Sequence, residues 1–159
     1  MRASIQRTFA NAILTQLHPR SEITIALHIL SQDGSVLATC INATTLALID
    51  AGVPMTDYVV AVTASASSSG AGGSADGGEE QGDPLLDANA IEEQDLPTLT
   101  VATLGATENI TLLQLESKVH LGLMEGMMAV AVDGCGKLRG MLDEKVREHG
   151  AAIISAAGL

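Results

Sequence analysis

Residues 33–55 read DGSVLATCINATTLALIDAGVPM. A turn dipeptide opens the stretch, small and apolar residues fill it, and Gly52 and Pro54 close it. The spacing predicts a turn followed by a helix that ends near Ala51 and Gly52, where glycine accepts the left-handed conformation of a helix terminus and Pro54 blocks continuation. Asp33 and Asp50 are its only charges. A helix N-terminus that follows a glycine turn offers backbone N–H groups to an anion. The segment therefore poses a chemical question: does this turn hold a phosphate, or does it only start a helix?

Outward from that stretch, the pattern mixes helix and strand. Residues 4–17 carry Ile5, Phe9, Ile13, Leu14 and Leu17 at helical spacing, with Pro19 as the stop. Residues 22–30 (EITIALHIL) alternate, Ile23, Ile25, Leu27 and Ile29 on one side, and predict a strand covered on at least that side. Residues 57–63 predict a short apolar strand, and residues 98–104 and 110–115 a β-hairpin turning at 105–108. Residues 119–149 carry a helical pattern that includes Met124, Met127 and Met128, read here as core filler. Gly134, Gly136 and Gly140 predict a break in its middle. Residues 64–84 (ASASSSGAGGSADGGEEQGDP) are too polar and too small to offset their ordering entropy, and are expected to form a disordered insertion within a single domain spanning 1–159. A chain opening on a helix with no strand before it is expected to lack an N-terminal part.

Composition narrows the function. Apolar residues make up 47% of the 159, yet Phe9 and Tyr58 are the only aromatics. Such a core suits helices packed on a sheet and offers no stacking platform for bases. The formal charge is −11, and the eight basic residues are confined to Arg2, Arg7 and Arg20 at one end and Lys118, Lys137, Arg139, Lys145 and Arg147 at the other. The interval between them holds most of the acids. A stand-alone nucleic-acid binder needs cations to displace counterions, so any RNA contact must borrow positive charge. Cys40 and Cys135 have no His or Cys at ligand spacing and read as buried thiols. His18, His28, His120 and His149 adjoin no nucleophile motif. No metal, cofactor or membrane partner is expected, and residues 1–10 lack the apolar run of a signal peptide.

Three segments, TFANAILTQLHPRSEITIALHIL (8–30), the opening stretch continued to Val59, and ITLLQLESKVH (110–120), together resemble the RNase PH family. Within that family the similarity is to the eukaryotic RNA exosome ring subunits, with INA…LALIDAGVPM its most specific part. The resemblance implies an α/β (α+β) RNase PH-like domain of the ribosomal protein S5 domain 2-like kind. Active members are phosphorolytic 3′-to-5′ exoribonucleases in which phosphate attacks the terminal phosphodiester, usually with a metal ion implicated. Their turn reads Gly-Thr-Arg or Gly-Ser-Arg, because a multiply charged anion needs charge-assisted donors as well as amides.

By that resemblance Gly34 and Ser35 hold the turn positions, and the arginine position falls at Leu37. The paired acids of active relatives map to Asp87 and, six residues on, Glu93, in LDANAIEEQDLP. The expectation is a vestigial site at Gly34, Ser35, Leu37, Asp87 and Glu93, with no active catalytic residue. The implied role is a noncatalytic ring subunit supporting RNA processing and degradation, rRNA maturation and mRNA turnover included. Its expected partners are other RNase PH-like ring subunits, RNA-binding cap subunits and RNA threaded through the ring, in nucleus, nucleolus and cytoplasm. An active phosphate-dependent exoribonuclease and a small stand-alone α/β binding protein are the alternatives.

Overall fold

Small and β-branched residues at residues 59–66 and 98–104 allow two strands to be buried on both faces, and they form the centre of the sheet. The computed structural model describes residues 1–67, 83–105 and 109–156. Its elements run α1 (Arg2–Ala12), a 3-10 turn (Thr15–Leu17), α2 (Val36–Asp50), β1 (Val59–Ala66), β2 (Pro84–Leu86), α3 (Glu92–Asp95), β3 (Thr98–Leu104), β4 (Ile110–Leu115) and α4 (Leu121–Ala156). The four strands form one antiparallel sheet in the order β2-β1-β3-β4.

Strand alternation divides the core between the two faces. On one side Val59, Ala61 and Ala102 meet Phe9, Leu37, Ile41 and Leu48 of α1 and α2. On the other, Ala64, Ala66, Leu99 and Val101 meet Met127 and Ala131 of α4. The alanines let the helices approach the sheet closely. Met127 is fully buried, so that member of the methionine stripe is core.

Helix α2 is also tied to the sheet by hydrogen bonds. Asn42 Nδ2 donates to the Ala61 carbonyl at 2.8 Å, and Ala61 N–H donates to Asn42 Oδ1 at 2.8 Å. Thr45 Oγ1 donates to the Val59 carbonyl at 2.6 Å. Strand β2 pairs with β1 only at residues 64–66, so beyond it the β1 edge needs other partners. The Asn42 amide, with one donor and one acceptor, substitutes for a neighbouring strand. Asn42 is the middle residue of the INA motif, and this is its structural work.

Four expectations need correction. The first helix ends at Ala12 and continues as a separate 3-10 turn, because Leu14 N–H donates to the Pro54 carbonyl and draws the chain away. Residues 22–30 form no strand among the described residues, and each is exposed. Alternation supplies a strand's side chains, but the strand exists only where another backbone pairs with it. The 64–84 insertion begins later than expected. Ala64–Ala66 continue β1 under α4 and Pro84 starts β2; residues 68–82 lie outside the described residues, as do 106–108 of the hairpin turn. Finally, α4 runs unbroken through Gly134, Gly136 and Gly140. At Gly134 the sheet comes so near that an added Cβ would lie 3.1 Å from Leu86 Cδ1. Packing there outweighs the propensity cost of about 1 kcal/mol per glycine.

The far half of α4 is anchored by charge. Arg139 Nη2 reaches both carboxylate oxygens of Asp57, at 2.9 and 3.1 Å, in a half-buried pair. Near its end, His149 Nε2 lies 2.9 Å from Asp50 Oδ1 at the end of α2.

Candidate functional site

The Asp33-Gly34-Ser35 turn and the loop 87–93 face each other, and three contacts clamp them together. Ala90 N–H donates to Asp33 Oδ1 at 3.3 Å. Gly34, at φ +91°, is backed by the Ala88 carbonyl so closely that an added Cβ would overlap it. Ser35 N–H donates to Glu93 Oε1 at 2.6 Å across 58 positions of sequence. The last bond is short because the acceptor is a carboxylate. It also lies at the start of α2, where the helix dipole favours negative charge.

Local chemistry explains why Glu93 arrives there. Asn89 Oδ1 accepts from Ile91 and Glu92 N–H, both at 2.9 Å, while Glu92 Oε2 accepts from Asn89 N–H at 2.9 Å. This reciprocal cap winds the short helix α3 and turns Glu93 towards Ser35. Strain accumulates on the opposite side of the contact. Ser35 sits in the left-handed region at φ 50°, and its Oγ is buried with no hydrogen-bond partner among the described residues.

Of the positions expected to form the site, Gly34, Ser35 and Glu93 come together and Asp87 lies beside them. Asp87, also left-handed at φ 59°, donates its N–H to the Thr63 carbonyl at 2.9 Å. It lines a cavity of about 380 Å³ together with Asp33, Gly34, Thr39 and Cys40. Leu37 is not in that lining; it is buried in the α1–α2 core. His28 does line the cavity. No signal in the sequence marked that placement.

The electrostatics of this cavity are acidic. Asp33 and Asp87 border it, and none of its lining residues is Lys or Arg. A phosphate dianion placed there would face two carboxylates, and the turn's Ser35 amide already serves Glu93. Among the described residues no three His, Cys, Asp or Glu side chains gather as a metal cluster. Cys135 lies apart, buried on the sheet-facing side of α4, where burial pushes its thiol pKa up and hydrogen bonding from Thr103 and the Val62 backbone opposes the shift. Cys40 and Cys135 are both buried and unpaired.

Comparison with known proteins places the chain in one family, in two consecutive parts. Residues 1–54 match the 3′ exoribonuclease family, domain 1, and residues 57–134 match domain 2 of that family. The chain is 42% identical over 153 residues to the exosome complex component ski6 of Schizosaccharomyces pombe, covering 96% of this chain and 58% of that protein. It is 33% identical over 157 residues to SKI6 of Saccharomyces cerevisiae, covering 99% and 58%. With the human exosome complex component RRP41 it shares 37% over 150 residues, covering 94% and 56%. The chain thus spans somewhat over half the length of these relatives. The crystal structure of rice Rrp46 superposes with a TM-score of 0.78 at 19% identity, over 91% of this chain and 63% of that one, which shows a shared fold.

Proposed function

The chain belongs to the 3′ exoribonuclease (RNase PH) family, and from that premise we propose that it acts as a noncatalytic subunit of an RNA exosome ring. In this reading it sits beside other RNase PH-like subunits and under RNA-binding cap subunits. RNA passes through the assembled ring during 3′-to-5′ processing and degradation, in nucleus, nucleolus and cytoplasm. Its kinship with proteins named exosome complex components supports the ring assignment.

One observation carries the noncatalytic part: the Ser35 amide at the α2 terminus is bound by the chain's own Glu93 carboxylate at 2.6 Å. Phosphorolysis needs an attacking phosphate held by amides and a guanidinium. Here Glu93 takes the amide, and the position that matches the arginine carries Leu37, buried in the core. Gly34, Ser35, Leu37, Asp87 and Glu93 are then the remains of a phosphorolytic site, of which Gly34, Ser35 and Glu93 also lock the 87–93 loop onto the start of α2.

Asp87 favours the alternative of an active phosphorolytic nuclease, since its carboxylate still borders the cavity. The two readings separate in an assay for nucleoside diphosphate released from single-stranded RNA by the assembled ring, with and without inorganic phosphate. No phosphate-dependent release, and no effect of Asp87→Ala, is the expected outcome. Release that requires phosphate and vanishes with Asp87→Ala overturns the noncatalytic reading.

A further inference from the structure

We draw no further inference here: the strongest candidate, the exposed apolar row Ile23, Ile25, Leu27 and Ile29 bordering the groove beside α1, carries nothing because nothing in the structure shows what covers it.

Discussion

Replacing Glu93 measures how much the turn depends on its internal anion. In Glu93→Ala the Ser35 N–H loses a 2.6 Å bond to a carboxylate, and Ser35, only 6% exposed, has little access to replacement water. Hydrogen bonds to charged groups contribute about 1.5–3 kcal/mol. Loss of the negative charge from the α2 N-terminus adds about 0.3–1 kcal/mol. Glu93 is itself half-buried and partly screened, which places the expected loss near the lower end, about 2 kcal/mol. Glu93→Gln keeps an acceptor for the amide and surrenders only the charge, so about 1 kcal/mol is expected. Glu92→Ala, which removes only the exposed bond to Asn89 N–H, is the control, at about 0.5–1 kcal/mol. Urea unfolding followed by circular dichroism reads all three, provided the slope with denaturant stays constant. If Glu93→Ala falls within about 0.5 kcal/mol of the parent chain, or no further than Glu92→Ala, then Glu93 does not serve as the turn's anion.

Three further outcomes follow from the packing. Asn42→Ala leaves the N–H and C=O of Ala61, which is 1% exposed, without partners, and is expected to cost about 3–4 kcal/mol in urea unfolding, with Asn42→Asp also destabilising because its carboxylate would oppose the Ala61 carbonyl. Gly136→Ala and Gly140→Ala meet open space and should each gain about 0.5–1 kcal/mol, whereas Gly134→Ala must displace Leu86 and should gain less or lose stability, as thermal unfolding will show. Burial raises the Cys135 thiol pKa in the folded chain, so the unfolded state releases that proton first as pH rises; stability from this group is complete below about pH 8.5 and declines above it, and Cys135→Ala should lack that alkaline decline.

Much of the fold was legible because its signals are local. The α2 boundaries follow from a glycine turn and a Gly-Pro stop, and the β3–β4 hairpin follows from apolar runs around a turn. Residues 22–30 show the limit of such reading, since alternation cannot reveal whether another backbone lies alongside. Helix α4 shows the opposite error: three glycines predict a break, yet sheet packing at Gly134 holds the helix together. At the site, the positions of Gly34, Ser35, Asp87 and Glu93 could be marked by resemblance, but the bond from Ser35 to Glu93 spans 58 positions and exists only after folding. Asn42 was visible as a polar residue among small apolar ones. Its partner, the free edge of β1 at Ala61, was not.

The Asp33-Gly34-Ser35 turn is occupied by the chain's own Glu93 carboxylate, and on the proposed reading it does not hold phosphate. Isothermal titration of the chain with inorganic phosphate at pH 7, repeated with Glu93→Gln and Asp87→Ala, tests it most directly. The parent chain is expected to show no saturable heat up to millimolar phosphate. Saturable binding by the parent chain that is altered by substitution at Asp87 or Glu93 would contradict it.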